Sequence, residues 1–240
     1  MNRLKEICNK INIEIDDNQI NQFDKYYEFL IEKNKVMNLT AITEKEDVIL
    51  KHFVDSIAII PYLKELYNLD SNKLSIIDIG TGAGFPGIPL KIMLPEIKFT
   101  LLDSLNKRIS FLNDVIDLLD IKNIETIHGR AEDYASNNSY REKYDLCVSR
   151  AVANLSTLSE YCIPFVKRDG LFISYKAGDC EEEINNSKNA IKLLGGKIQK
   201  VEDFVLPESD ASRVFVMIKK ISNTEKKYPR KAGIPSKKPL

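Results

Sequence analysis

The ten residues Asp78-Ile79-Gly80-Thr81-Gly82-Ala83-Gly84-Phe85-Pro86-Gly87 are the stretch of this chain best suited to chemistry. An apolar run, Leu74 to Ile77, precedes them, and an amphipathic one, Ile88 to Leu94, follows. Strand, tight glycine turn and helix in that order present bare backbone N–H groups to a ligand. The chemistry this suits is the holding of a nucleoside-bearing cofactor. Asp103, at the end of the next apolar run, is placed to accept both hydroxyls of a ribose.

The spacing selects among cofactors. A dinucleotide fingerprint, Gly-x-Gly-x-x-Gly, needs a third glycine where this chain has Phe85. A Walker loop needs Gly-Lys-Ser/Thr, which does not follow. The actual pattern, Gly80, Gly82 and Gly84 with Asp103 downstream, resembles the class I S-adenosylmethionine-dependent methyltransferases. That resemblance implies a turn packed against the methionine end of S-adenosyl-L-methionine. The competing reading is a turn that serves chain reversal alone.

The elements that must position these residues alternate. Strands are predicted at Ser75–Ile79, Lys98–Leu102, Ile124–His128, Tyr144–Ser149 and Leu171–Lys176, and helices at Gly87–Leu94, Leu105–Leu119, Asn154–Phe165 and Glu181–Leu194. Lys197–Phe204 and Arg213–Lys219 read as two consecutive strands. The expected fold class is therefore α/β: a Rossmann-like methyltransferase sheet, mostly parallel, ending in an antiparallel hairpin. A small helical region is expected over residues 1–73, the cofactor-binding domain over 74–222 and a basic, proline-containing tail over 223–240. Phe23, Tyr26, Tyr27, Leu30 and Ile31 form one apolar helix face. Thr43-Glu44-Lys45-Glu46 reads as a capping box ahead of Val48, Ile49, Phe53, Val54 and Ile57, with Pro61 closing or kinking that helix. Pro229, Pro235 and Pro239 among lysines predict an extended or disordered tail.

Bulk properties narrow the function classes. No apolar run approaches the roughly 20 residues of a membrane helix, and Met1 to Lys10 lacks the pattern of a signal peptide. Cys8, Cys147, Cys162 and Cys180 are widely spaced, which argues against a zinc site or a disulfide framework and fits a reducing cytoplasm. Zero net charge hides a segregation: residues 225–240 carry six Lys/Arg against Glu225 alone, on an otherwise mildly acidic body. A polyanionic partner is the expectation.

The acceptor is narrowed by what is missing. An amine-methylating enzyme of this class usually carries an Asn/Asp-Pro-Pro-Tyr loop after the fourth strand, where this chain has Ser149-Arg150-Ala151-Val152. Pyrimidine C5 chemistry needs a nucleophilic cysteine, yet Cys147 and Cys162 read as buried hydrophobes and Cys180 has no Pro-Cys loop. No carboxylate cluster for a metal can be assembled. What remains are acceptors needing neither base nor nucleophile; guanine N7 is one, and small-molecule acceptors stay open.

Longer stretches then resemble one family. Asn38-Leu39-Thr40-Ala41-Ile42, Lys51-His52-Phe53-Val54-Asp55-Ser56-Ile57, Asp78 to Pro89, Leu102 to Arg108, Gly129-Arg130-Ala131-Glu132 and Ser149-Arg150-Ala151 are similar to the RsmG (glucose-inhibited division protein B) methyltransferases of a guanine N7 in 16S rRNA. The resemblance implies cofactor contacts at Gly80, Phe85, Ala131, Glu132 and Arg150, and roles in activity or RNA binding for Arg130, Arg150 and Arg213. Gly82, Gly84 and Asp103 join the cofactor set on the physical argument above. Lys107, Arg108, Lys226, Lys227, Arg230 and Lys231 are candidate RNA contacts, because cations bind phosphates; a solvated face is the alternative. Arg213 also reads as an edge-strand charge, and His52 as a core histidine. Asp55 and Ser56 suit either capping or the cofactor. The expectation is a cytoplasmic, monomeric enzyme without metal, membrane or protein partner, acting on 16S rRNA or the small ribosomal subunit. Its rivals are a methyltransferase of a small molecule or protein and a non-catalytic rRNA-binding assembly factor.

Overall fold

The computed structural model describes residues 1–67, 69, 73–150 and 153–240. The chain opens with α1 (Asn2–Lys10) and the long α2 (Asp17–Met37). Asp16 and Gln19 form a reciprocal capping box at the start of α2. The box expected at Thr43–Glu46 does not form. Helix α3 (Lys45–Val48) starts after Glu44, with no side-chain cap bond. Thr43 thus stands one residue too early, and its carbonyl accepts the Tyr27 hydroxyl instead. The chain then widens into a π-helical segment, Ile49–Val54, followed by α4 (Asp55–Ile57) and α5 (Ile60–Leu66). The helix closes at Ile57, just ahead of Pro61 as expected, and Pro61 then sits in the first turn of α5, where its missing N–H is no loss. Val48, Ile49, Phe53, Val54 and Ile57 are all buried, as their spacing predicts.

The alternating part follows the predicted order. It runs β1 (Ser75–Ile79), α6 (Gly87–Met93), β2 (Lys98–Asp103), α7 (Asn106–Leu118), β3 (Ile124–His128), α8 (Ala131–Ala135) and β4 (Tyr144–Arg150). Then come α9 (Leu155–Cys162), β5 (Val166–Ala177), α10 (Glu181–Leu193), β6 (Gly196–Val205), β7 (Ser212–Lys220) and the short α11 (Ile234–Lys237). Seven strands lie in the order β3-β2-β1-β4-β5-β7-β6. The first five are parallel, while β7 runs antiparallel to both β5 and β6. The sheet is Rossmann-like, with the terminal antiparallel pair that the sequence predicts.

Alternation along each strand sends side chains to two faces. Ile76, Leu101 and Leu146 meet α1, α2, the π segment, α6 and α7 on one side. Ile77, Ile79, Leu102 and Cys147 meet α9, α10 and Tyr228 on the other. Strand order reverses between β1 and β4, so a crevice opens at their carboxyl ends.

The tail is neither extended nor disordered. Arg141 donates to the carbonyls of Thr224 (2.7 Å), Tyr228 (2.9 Å) and Glu225 (3.2 Å). Arg230 clasps the fully buried Glu160 with Nε and Nη2, the latter at 2.6 Å. Pro235 occupies the first turn of α11, whose four residues are short enough for a proline to be harmless. The tail's composition predicted disorder because its partners lie in the body, far away in sequence.

Candidate functional site

Gly80, Gly82 and Gly84 all have left-handed backbone, with φ of 71, 62 and 100°. Their surroundings differ. A Cβ on Gly82 would meet only the Gly80 carbonyl, at 3.9 Å, so this residue faces open space. A Cβ on Gly84 would collide with Ile88, the Tyr26 hydroxyl and Leu112 at 2.7–3.0 Å. Gly84 therefore packs the turn against α2 and α7 and is not brought to the cleft. Tyr26 also donates its hydroxyl to the Ala83 carbonyl. Close approach of helix and sheet falls to Gly87, whose Cβ would lie 2.4 Å from Leu101. Its N–H donates to Asp78 Oδ2 at 2.9 Å. The signal for Gly87 was in the sequence, a glycine opening the helix three places beyond Gly84.

Asp103 is 1% exposed and firmly held. Its Oδ2 accepts from Gly82 N–H (2.9 Å) and Arg108 Nη1 (3.3 Å), and Oδ1 accepts from Leu105 N–H (2.9 Å). A carboxylate oxygen takes two donors, so Oδ1 keeps capacity for a hydroxyl. The buried Thr81 hydroxyl and the Asp78 carboxylate are neighbours, and the Thr81 hydroxyl interacts with that carboxylate. Burial pushes the Asp78 carboxyl up to about 7, against the pull of the Thr81 hydroxyl, the Gly87 N–H and the Arg150 charge.

Three clefts share walls along the carboxyl edge of the sheet. The first is bounded by Leu39, Thr40, His52, Gly80 to Ala83, Phe85, Asp103, Ser104, Arg108 and Arg150. Gly80 and Ser104 also bound the second, with Gly129 to Glu132, Tyr161, Gly233 and Ser236. His52 and Arg150 also bound the third, with Lys51, Asp55, Tyr175, Lys176 and Arg213.

At the junction of the first and third clefts, side chains from far apart in sequence stack and pair. The His52 ring lies on Phe85, centroids 4.4 Å apart and 17° from parallel. The Arg150 guanidinium stands 5.2 Å over the same Phe85 ring. Arg150 donates to Asp55 Oδ2 at 3.0 Å, to the Lys51 carbonyl at 3.1 Å and to His52 Nδ1 at 3.2 Å. Arg213 takes the other oxygen of Asp55 at 3.0 Å. Burial, with the Arg150 cation adding, drives His52 down to about 3, so the ring is neutral at ordinary pH. Arginine only donates, which makes His52 Nδ1 the acceptor and leaves the proton on Nε2, 2.8 Å from the Thr40 hydroxyl. Ser56 turns its hydroxyl to the His52 carbonyl and does not face a cleft.

Of the cations singled out from sequence, Arg108 and Arg130 stand at the first and second clefts. Lys107 reaches back to the Met37 carbonyl at 3.1 Å. Lys226 and Lys231 are exposed, and Lys227 pairs with Glu225. Arg230 points inward to Glu160, not outward as an RNA contact requires. Arg213 is less an edge charge than one arm of the Asp55 bridge. All four cysteines are buried, and none lines these three clefts. Ala151 and Val152, read with the loop after β4, lie outside the described residues.

The open cradle at Gly82 and the remaining capacity of Asp103 fit a ligand carrying an amino-acid end and a ribose. Comparison with known proteins agrees. Residues 19–212 match the family model GidB, rRNA small subunit methyltransferase G, which leaves Arg213 and the tail beyond the matched range. The chain is 54% identical over 228 residues to a ribosomal RNA small subunit methyltransferase G of Acetivibrio thermocellus, covering 95% of this chain and 91% of that one. It is 52% identical over 239 residues to the protein of that name from Clostridium botulinum strain Loch Maree, covering 100% and 98%. Among solved structures, it resembles M. jannaschii TYW2 in complex with AdoMet (TM-score 0.52, 16% identity, 68% of this chain and 76% of that one). It also resembles NSun6 from Pyrococcus horikoshii (TM-score 0.52, 15% identity, 65% and 50%). At such identities these two speak for the fold alone.

Proposed function

The chain belongs to the rRNA small subunit methyltransferase G family, and we propose that it methylates N7 of one guanine in 16S rRNA, acting as a cytoplasmic monomer. It is an S-adenosylmethionine-dependent rRNA methyltransferase. When bound, the cofactor supplies an electrophilic methyl group that the N7 lone pair displaces in line from sulfur, with no proton to remove. The work of this chain is alignment.

Residues are assigned along the three clefts. Gly80 to Ala83 cradle the methionine end, with Gly82 offering open backbone. Asp103, oriented by Gly82, Leu105 and Arg108, takes the ribose. Ala131 and Glu132 bound the nucleoside end. Phe85 and the neutral His52 present a flat wall where the first and third clefts meet. Arg150 stiffens that wall and leaves the third cleft for the acceptor base, with Arg213 beside it. Arg130, Lys107, Lys226, Lys227 and Lys231 are assigned to RNA phosphates, as a mildly acidic body requires, while Arg108 stays with Asp103.

One observation carries the choice of N7: every titratable side chain that lines the third cleft is already engaged. His52 is neutral and bonded through both nitrogens. Asp55 holds two arginines. Tyr175 donates to the Ser56 carbonyl, Lys176 binds Glu183 and Lys51 binds Asp47. Such a cleft orients an acceptor without deprotonating it, which suits a ring nitrogen with a free lone pair. The deciding experiment is tritiated methyl transfer into small subunits from cells lacking this gene. The expected product is 7-methylguanosine; any other methylated nucleoside overturns the N7 assignment. Incorporation without RNA would favour a small-molecule or protein acceptor.

A further inference from the structure

We propose that residues 228–236 form the outer wall of the nucleoside end of the cofactor cleft, so that docking of this segment and binding of the cofactor strengthen each other. The proposal rests on the cofactor reading above and extends it to a part of the chain that reading does not include. Gly233 and Ser236 bound the same cleft as Gly80, Ala131 and Glu132. A hydrogen bond joins the two walls: Glu132 Oε1 accepts the Gly233 N–H at 2.9 Å. Glu132 is 8% exposed, so this bond is shielded from water.

The segment is held in place from two sides of that bond. Arg230 is clamped on Glu160, and the Thr157 hydroxyl donates to the Pro235 carbonyl at 3.1 Å. Gly233, at φ 82°, makes the bend between these anchors at the cleft wall. A carboxylate that faces the nucleoside end and also holds the tail joins the two events. A ligand that orders Glu132 favours the docked tail, and by reciprocity the docked tail favours the ligand.

The test uses a chain ending at Ala232, which keeps Tyr228 and the Arg230 anchor and loses Gly233 and Ser236, the two tail residues that bound the cleft, with the residues that follow. Calorimetric titration with S-adenosylmethionine and with methylthioadenosine, which has the nucleoside but no amino-acid end, should show about tenfold weaker binding of both. In the intact chain, tryptic cleavage after Lys231 should be slowed by saturating methylthioadenosine. Affinities within twofold of the intact chain, or cleavage indifferent to the nucleoside, overturn the proposal while leaving the cofactor reading intact. An intact chain that bound neither compound would overturn both.

Discussion

The glycine turn at Asp78–Gly87 and the tail at 225–240 are the two ends of one cleft system, and they hold their shape by opposite means. The turn is fixed from within: three left-handed glycines, Asp78 bonded to Gly87 nine residues on, and Gly82 bonded to Asp103 at the next strand end. The tail is fixed from outside, by Arg141, Glu132, Thr157 and Glu160, which lie 70 to 101 residues away in sequence. A region of the first kind announces itself in its own residues. A region of the second kind has a fold written in its partners.

Removing an external anchor puts this contrast under the greatest load. Arg230→Met leaves the buried Glu160 carboxylate without its counter-charge, held only by the N–H of residue 230, which should cost about 3 kcal/mol in urea unfolding. The double variant with Glu160→Met should recover most of that loss. A small effect from the single change would mean that the tail does not depend on its anchor. Inside the turn, Gly84→Ala forces a Cβ into Ile88, Tyr26 and Leu112 at positive φ, and should cost about 3 kcal/mol. Gly233→Ala has open space around it and should cost only about 1 kcal/mol from its φ. Gly82→Asp should likewise cost only about 1 kcal/mol from its φ of 62°, yet abolish cofactor binding by calorimetry, because its new side chain enters the cleft.

Asp78 gives the turn a pH signature. Its carboxyl is raised to about 7 by burial, so the folded chain binds a proton that the unfolded chain has released. The stabilisation from this group is full below the unfolded value near 4 and is lost as pH rises to about 7. Asp78→Asn removes the dependence. Its stability relative to the parent should therefore climb between pH 4 and 7, by at most about 1.4 kcal/mol per unit, and level off above. A difference that is flat with pH would show that Asp78 does not titrate in this window. The smallest expected effect is electrostatic. Replacing Lys226, Lys227 and Lys231 with glutamine should weaken binding to small-subunit RNA and lower its salt slope by about one for each phosphate no longer neutralised. An unchanged slope would remove the tail lysines from the interface.

What the sequence made legible follows the same division. Strand and helix order, the antiparallel final pair and the turn were readable because apolar periodicity and glycine spacing act over a few residues. Asp103 was readable because it sits at a strand end. The pairing of Arg150 with Asp55 and Arg213 was not, since Asp55 lies 95 and 158 positions from its two partners and meets them only through sheet order. The π-helical segment that carries His52 has no compositional mark. The packing role of Gly84 was hidden for a related reason: spacing shows that a glycine is needed, and only packing shows which neighbour needs it.

The bridge of Arg150, Asp55 and Arg213 sets two guanidinium charges against one carboxylate, beside an uncharged His52. One positive charge is left over at the mouth of a cleft in a body that is otherwise mildly acidic. A charge held in a recess focuses field lines outward, so its influence falls on the approach of a polyanion more than on its release. Ionic strength should therefore change the association rate for RNA far more than the dissociation rate.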